Sequence, residues 1–432
     1  MFANVFSRNY IGLVCYPRNF TFIDHRGSQL AGMEDVLLRE IGMQIFKYSL
    51  ILSALAWGTS CTGGGKNKAD GHVSYVLENT GIKTFVLDSL TGPISTFVTY
   101  VQAPDADLFC MYSREQNALV FFDYASGMPV DKAQFSNEGP NGVGGYSGYK
   151  GFQVISRDSI LVANVILNKV FLLNSKGEIL DQMKVYTDPL NQDTLIGGLD
   201  VGVNRPLVLK NNEVYMHTLI SGRALKDHTK FSHVMIAGFA DGTVRRSMYR
   251  PEVYNRGYWS ANGEFDRCYS TYNPDTKRFI YSFPVDHHLY ETDHQEHFVP
   301  HPAASEYIED IKPMSSDRMA VQDWQKSVEY DYTNSRYYQV IYDRFNGLYY
   351  RFALLGNTLD EVKDPDVQYK QRAAVILLDN DFHKVGKIVL DRGRNLFHNF
   401  FIGKEGLHIQ VDPVLYDNED DLVYDVYRPV KK

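Results

Sequence analysis

From about Val73 onward the chain alternates short apolar runs with Asn, Asp and Gly turns, and no long stretch keeps a 3.6-residue period. The runs share a form. An aliphatic or aromatic strand ends in Asp or Asn, a turn follows that often carries Gly, and a more polar strand returns. LeuValPhePheAsp123 with Gly127, ValPheLeuLeuAsn174 with Gly177, and IleAlaGlyPheAlaAsp241 with Gly242 are the clearest copies. ThrPheValLeuAsp88 and ValIleLeuLeuAsp379 are looser ones. The side chain of Asp or Asn caps its own turn, and Gly supplies the positive φ. The polar returning strand suits an outer edge that faces water.

One unit reads as complete: Gly151–Ser156, Ser159–Ile166, Val170–Asn174 and Glu178–Val185 give four strands in 35 residues. Four-stranded antiparallel units repeated about an axis are β-propeller blades. The pattern predicts an all-β chain. Its blades fall at Leu108–Phe135, Phe152–Tyr186, Pro206–Tyr249, Arg267–Val299 and Tyr337–Leu390. A sixth blade would combine Asn399–Ile402, Leu407–Val411 and Leu422–Tyr427 with the N-terminal strands Val73–Leu77 and Ile82–Asp88, so that both chain ends close one blade. Six blades are expected. Seven result if Tyr337–Leu354 and Ala373–Leu390 are separate blades, and a pair of β-sandwiches is the other all-β alternative.

The first 72 residues do not follow this pattern. Met43–Cys61 (MQIFKYSLILSALAWGTSC) has one basic residue, Lys47, then an apolar run from Tyr48 to Trp57, then small residues. That is the layout of a secretory signal. The run is about ten residues, roughly half of what a membrane-spanning helix needs. Gly58-Thr59-Ser60-Cys61 resembles a bacterial lipoprotein cleavage site of the looser Bacteroidetes type, with Gly58 where the usual Leu stands. The resemblance makes Cys61 the lipidated first residue of the mature protein. Residues 61–72, rich in Gly, Lys and Asn, read as a flexible tether, and 73–432 as the propeller. A signal works from the N-terminus, so residues 1–42 are read as an over-extended gene model and 43–60 as the signal peptide.

Composition narrows the function classes. Lys+Arg is 44 and Asp+Glu 52, a net charge of -8. Residues 1–42 hold four charges of each sign and Lys47 adds one, so the segment from Cys61 carries -9. That balance argues against a nucleic-acid surface. Beyond Cys15 and Cys61 only Cys110 and Cys268 remain, each in an apolar run. They read as small buried hydrophobes, with one disulfide as the alternative.

With this start and this repeat, the chain resembles a family of six-bladed propeller lipoproteins of Bacteroidetes, domain of unknown function 4221. Asn137–Val143 (AsnGluGlyProAsnGlyVal) is similar to the interblade loops of such propellers. The resemblance implies an exported, membrane-anchored propeller and brings no catalytic residues.

Candidate chemistry is sparse. Five of the 13 histidines lie at 287, 288, 294, 297 and 301. His288, His294 and Glu296 share one strand parity and are the candidate metal ligands. A polar outer hairpin is the plainer reading of the same residues. Ser147-Gly148-Tyr149-Lys150 matches Ser-x-x-Lys but stands in a Gly-rich loop rather than at a helix start. The acidic run Asp417–Asp421 offers oxygen ligands but lacks the Gly of a calcium loop. Tyr254, Tyr258, Trp259 and Trp324 are candidate binding aromatics, with packing over a blade end as the alternative.

The expected function is a binding module at the bacterial cell envelope. It would be held by lipid on Cys61, monomeric, and partnered by an envelope protein or glycan rather than nucleic acid. A propeller hydrolase or lactonase with a metal in the central channel is the alternative. No cofactor is expected apart from the lipid and, in the alternative, a metal ion.

Overall fold

The computed structural model describes residues 74–103, 106–145, 149–185, 198–218, 232–260, 263–295, 298–317, 319–416 and 418–432. The signal-like segment, Cys61 and the tether lie outside the described residues.

The fold is all-β, with propeller-like sheets. Four sheets are four-stranded antiparallel meanders. The first contains β2 (Val98–Gln102), β3 (Asp107–Ser113), β4 (Ala118–Asp123) and β5 (Pro129–Gln134). The second contains β6 (Lys150–Ser156), β7 (Ser159–Asn164), β8 (Lys169–Leu173) and β9 (Ile179–Lys184). The third contains β10 (Val208–Lys210), β11 (Glu213–His217), β12 (Ser232–Gly238) and β13 (Val244–Tyr249). The fourth contains β14 (Tyr269–Asn273), β15 (Arg278–Ser282), β16 (His288–Thr292) and β17 (Phe298–Pro302).

The remaining strands form one eight-stranded sheet. Its order is β18 (Arg336–Asp343), β19 (Leu348–Leu355), β20 (Arg372–Leu378), β21 (Lys384–Leu390), β1 (Tyr75–Val86), β24 (Asp421–Lys431), β23 (Gly406–Val411) and β22 (Asn395–Gly403).

The hydrogen bonding therefore departs from six separate blades. A parallel pairing of Tyr75 with Gly386 joins β1 to β21, and the expected fifth and sixth units share a sheet. The seven-blade alternative is overturned, because β19 and β20 pair directly from Tyr349–Leu378 to Leu355–Arg372. The two expected N-terminal strands are one. β24 runs opposite the whole of β1, and the Asn79-Thr80-Gly81 turn signal is a bulge in that ladder. β2 had no counterpart in the expected blades. Two helices interrupt the strand pattern, α1 (Trp324–Thr333) and α2 (Leu359–Lys363). Asp323 caps α1, and Thr358 with Glu361 forms a capping box on α2.

The apolar clusters run from sheet to sheet in chain order and close on themselves. Phe85 of β1 stacks on Phe109 of β3 at 4.0 Å, with Phe122 and Tyr424 beside them. Phe135 and Phe152 join the first sheet to the second. Leu161 and Val170 meet Val214 and Met235 of the third. Tyr215 stacks on Phe279 of the fourth, and Tyr342 and Tyr349 continue that cluster. Tyr350 and Leu377 then meet Phe400 and Leu407. Each sheet buries both faces, as in β3 and β4, where nearly every residue is buried.

The turn glycines serve this packing as well as the turn. Gly127 has φ +74° and Gly177 has φ +76°. A Cβ at Gly127 would collide with the carbonyl of Thr84 on β1, and one at Gly177 with the carbonyl of Gln134 on β5. The hairpin tip of one sheet thus rests on the outer strand of the sheet before it, which is why the sequence repeats Gly at this point.

Arg351 of β19 is fully buried. Its guanidinium donates to the carbonyls of Asp286 (2.6 Å), His287 (2.8 Å), Ala303 (2.9 Å) and His288 (3.2 Å), and lies 3.6 Å from the ring centre of Tyr337. Burial pulls its pKa down to about 10, so it stays charged at neutral pH. The backbone carbonyls that neutralise it belong to the fourth sheet and the turn leaving it. We predict that Arg351→Met, which removes the guanidinium from four backbone carbonyls and the Ser282 hydroxyl, lowers unfolding stability by about 3 kcal/mol or more. Denaturant titration tests this, and an unchanged midpoint would refute the role.

Candidate functional site

First strands of neighbouring sheets lie against one another at two places. β14 lies beside β18, with Tyr342 N donating to Thr271 Oγ1 at 3.1 Å, and β2 lies beside β22. These strands define an axis, and chemistry-bearing residues gather at both of its ends.

At the N-terminal ends lies a cluster of charged and aromatic groups. Asp200 and Arg205 precede β10 and pair at 2.9 Å, with both side chains mostly buried. Asn204 between them accepts from Arg205 at 2.9 Å, and its carbonyl accepts from Ser270 N on β14. Glu264 and Arg267 precede β14 and pair at 3.1 Å, with side chains 29% and 33% exposed. Arg336, opening β18, lies 3.9 Å from the other oxygen of Glu264, too far for a hydrogen bond. It is held instead by the Asp331 carbonyl at 2.6 Å and Gln371 Oε1 at 3.1 Å. Tyr269 and Tyr338 pack ring to ring at 4.6 Å, with Arg205 over Tyr269.

Two ladders are irregular in the strands that carry Tyr338 and His398, both of which lie near Glu264. The β18 ladder slips between Tyr337 and Val340, freeing Tyr338 and Gln339 from regular pairing. The β22 ladder slips between Leu396 and Phe400, freeing Phe397, His398 and Asn399. Bulges re-aim side chains and often stand next to binding sites. Gln339 is fully buried, and neither its amide oxygen nor its nitrogen has a partner among the described residues. The buried hydroxyl of Tyr269 is likewise unpaired. His398 keeps an exposed surface although protein hems it in, and desolvation lowers its pKa against the pull of Asp412 and Glu264. Glu264 is the main reason the Arg267 pKa is raised, with Asp200 adding to it. The cluster therefore brings a part-buried guanidinium, a part-buried carboxylate and the His398 imidazole together near the buried Tyr269 hydroxyl.

At the C-terminal ends, a cavity of about 220 Å³ is lined by Val98, Thr99 and Tyr100 of β2, Tyr342 and Arg344 from β18 and its turn, Phe400–Ile402 of β22, and Val203. Among the described residues the lining holds no carboxylate, imidazole or amide. A second groove of about 310 Å³ lies on the rim beside β21, next to Ser305, Tyr307, Lys384 and Lys387.

The candidate metal ligands are placed differently. His294 is buried, and both ring nitrogens are occupied, Nδ1 by the Ser247 hydroxyl and Nε2 by the Tyr281 hydroxyl, each at 2.8 Å. His288 stands at the opposite end of β16 and bonds Asp286 at 2.9 Å. Glu296, with His297, lies outside the described residues. Arg351 fixes a positive charge among the carbonyls of residues 286–288, which opposes a cation there. Among the described residues the gathered ligand group is Asp379, Asp381 and His383, on the exposed β20–β21 turn, where Asp379 caps the turn backbone.

The candidate aromatics divide. Tyr254 and Trp259 are core residues rather than an exposed platform: Tyr254 donates to the Phe265 carbonyl at 2.7 Å, and the Trp259 indole donates to the Tyr254 carbonyl at 3.3 Å. Tyr258 is half-buried and pairs backbone to backbone with Ser315. Trp324 is 66% exposed at the start of α1. Cys110 and Cys268 are buried free thiols. Lys150 is buried and bonds the Gly145 carbonyl and Tyr112 hydroxyl, while Ser147 and Asp417 lie outside the described residues. The axial residues were missed because they come from segments far apart in sequence, and no local motif marks their convergence.

A family model described as Domain of unknown function (DUF4221) matches residues 74–387. The chain belongs to this family. A crystal structure of a DUF4221 member from Bacteroides vulgatus superposes with a TM-score of 0.70 at 19% identity, covering 84% of this chain and all of that one. A Bacteroides fragilis protein described as exported gives a TM-score of 0.49 at 12% identity, covering 84% of this chain and 97% of that one. The beta-propeller domain of Cps50 (Swd1) from Myceliophteria thermophila gives 0.36 at 10% identity, covering 79% and 99%. A comparison with curated proteins finds no match. At these identities the DUF4221 likeness establishes the fold and leaves the chemistry to this chain's own residues. Among the described residues no helix is long and apolar enough to cross a membrane.

The buried histidines of this DUF4221 chain fix its acid response. Burial lowers His217, His294 and His408 to about 3 and His233 well below its ordinary value. All four are neutral in the fold, whereas an unfolded imidazole takes a proton near pH 6.5. Their stabilising contribution is complete above about pH 6.5 and is lost as pH falls toward 3. Thermal midpoints measured from pH 8 to 4 should be level at first and then fall below about 6.5. A flat profile would contradict the burial.

Proposed function

We propose that this DUF4221 chain is a six-bladed propeller, held at the bacterial cell envelope, that binds a ligand at the charged end of its axis. The count of six rests on reading the eight-stranded sheet as two blades touching at their rims. β18–β21 is one unbroken antiparallel meander, and β22, β23, β24 and β1 form another. A single parallel residue pair links them, whereas β1 pairs with β24 along nearly its whole length. The five apolar clusters that follow the sheets round to their start support a closed ring.

The observation that carries the binding role is the part-exposed Arg267–Glu264 pair beside the buried, unpaired hydroxyl of Tyr269. Unsatisfied buried polar groups cost stability and are kept where function uses them. Attachment at the envelope rests on the signal-like Met43–Cys61 and on the exported character ascribed to the Bacteroides fragilis relative. The partner is then an envelope glycan or protein, met by one copy of the chain.

Two outcomes test this reading. A thermal-shift screen of neutral and acidic oligosaccharides and of peptides should find a ligand, and a crystal of the complex should show it against Arg267 and His398; density at another place would overturn the axial assignment. In a Bacteroides host, Cys61→Ala should move the protein from the membrane fraction to the soluble fraction. A variant that stays with the membrane would remove the lipid anchor.

A further inference from the structure

We propose that the cavity at the C-terminal end of the axis is a second binding site, and that it takes a small aromatic monocarboxylate. This goes beyond the reading above and does not depend on it. The cavity measures about 220 Å³ and is open rather than sealed: Arg344 at its edge is exposed, and Thr99, Val203 and Ile402 in its lining keep part of their surface accessible. Its walls are mostly rings, Tyr100 of β2, Tyr342 of β18, and Phe400 and Phe401 of β22. These rings have partners of their own. Tyr342 donates its hydroxyl to Asp275 at 2.8 Å, Tyr100 packs edge-on to Tyr124 at 5.1 Å, and Phe401 stacks on His408 at 4.3 Å. The space between them is therefore preformed. A cavity of about 150 Å³ takes up a benzene ring, so this one has room for a ring and one small substituent.

The polar part of the ligand follows from Arg344, the one charged residue in the lining among the described residues. Its guanidinium reaches from the β18–β19 turn toward the end of β2, where Nη2 donates to Gln102 Oε1 at 3.4 Å, a long and weak bond. The carboxylates that reach this end have partners elsewhere and stand outside the lining: Lys404 holds Asp107 at 2.7 Å, and Glu405 accepts from the Tyr124 hydroxyl at 3.0 Å. The turn that carries Arg344 is fixed. The Asp343 carboxylate accepts the backbone N–H of Phe345 at 2.9 Å and of Asn346 at 3.1 Å, and the Tyr350 hydroxyl at 2.6 Å. A guanidinium on a fixed turn thus stands at the mouth of a ring-walled cavity. Its planar fork matches a carboxylate, two N–H groups to two oxygens, while the rings take the apolar body.

Other occupants fit less well. Ring faces alone attract a cation, but a cation entering here meets the fixed positive charge of Arg344. A dianion finds no cation in the lining for its second charge. A neutral ring fills the walls and leaves the guanidinium to water and Gln102. Elsewhere the molecule offers weaker candidates. In the rim groove beside β21, Lys387 is already paired to Glu306. The Asp379–Asp381–His383 group is an exposed acidic turn in which Asp379 caps its own backbone.

The test uses the full chain and the probes benzoate, phenylacetate and hydrocinnamate, the primary amide of each, benzylamine and acetate. Binding is measured by saturation-transfer NMR and calorimetry in a buffer free of carboxylates. At least one of the aromatic acids should bind, with its amide, benzylamine and acetate each about tenfold or more weaker. Arg344→Met should weaken that acid by about tenfold and leave its amide unchanged, so that acid and amide become equal. Val203→Phe, which fills the cavity from one wall and keeps the guanidinium, should weaken acid and amide together. The two variants thus separate the charge from the space, and their thermal midpoints monitor folding. An amide or benzylamine that matches the acid on the unaltered protein overturns the inference. So does an acid that binds Arg344→Met undiminished, and so does the failure of all the aromatic acids to bind.

Discussion

Eleven residue pairs join β1 to β24, from Tyr75 opposite Lys431 to Val86 opposite Asp421. They tie the start of the described chain to its end, and the rest of the architecture depends on that closure. Without it, the first sheet would lose the neighbour against which Phe109 and Phe122 pack, since Phe85 and Tyr424 come from these two strands. Two exposed sheet edges would appear at the same time. Closure therefore does two things together. It completes the last intersheet core, and it brings β22 of the closing sheet beside β2 of the first.

A closed ring sets the conditions on its axis. First strands from every sheet crowd together there, and side chains must share a narrow space. This chain fills much of the C-terminal end with Val98, Tyr100, Tyr342, Phe400 and Phe401. At the other end regular pairing gives way, in β18 at Tyr338–Gln339 and in β22 at Phe397–Asn399. A ladder residue has its side-chain direction fixed by the pleat, so a bulge is the means by which two neighbouring residues can both be turned to new uses. The charged groups sit just before the strands, in the connections that enter each sheet, where backbone geometry is freer. Rigid strands and freer connections thus share the site, the one fixing Tyr269 and Tyr338, the other carrying Arg205, Glu264 and Arg267.

What was legible in the sequence follows the same division. Strand existence was legible because each sheet is buried on both faces, which writes runs such as LeuValPhePhe and ValIleLeuLeu into the chain. Hairpins were legible through Asp123 with Gly127 and Asn174 with Gly177, although the sequence could not say that those glycines also admit a neighbouring strand. The expected strands Val73–Leu77 and Ile82–Asp88 are divided at Asn-Thr-Gly, which has the chemistry of a turn and of a bulge alike, and only the partner strand decides. The helix α2 carried a visible capping box at Thr358-x-x-Glu361 that the strand pattern obscured. The histidine-rich segment looked like chemistry because composition is visible and partners are not. His294 satisfies Ser247 and Tyr281, residues distant in sequence, and His287 satisfies Tyr337.

The charge arithmetic gains meaning when it is made local. A net charge of -8 over the whole chain speaks to solubility and to the partners a surface repels. It says nothing of the axis, where three guanidinium groups stand among carboxylates at 2.9 to 3.9 Å. Such pairs add little to stability when open to water, and the Arg267–Glu264 pair, about a third exposed, stands between that case and a buried pair. The buried pairs are different, since breaking one leaves a charge without a partner. Arg205 and Asp200 accordingly read as scaffold, and in the proposed binding role Arg267 and Glu264 are the members nearer to solvent. The same contrast separates Arg351 from Arg267. Arg351 gives its donors to four backbone carbonyls and the Ser282 hydroxyl, whereas the Arg267 guanidinium is paired with the Glu264 carboxylate. In a ring assembled from near-equivalent sheets, that difference in partners is what distinguishes an arginine that builds the wall from one nearer to solvent.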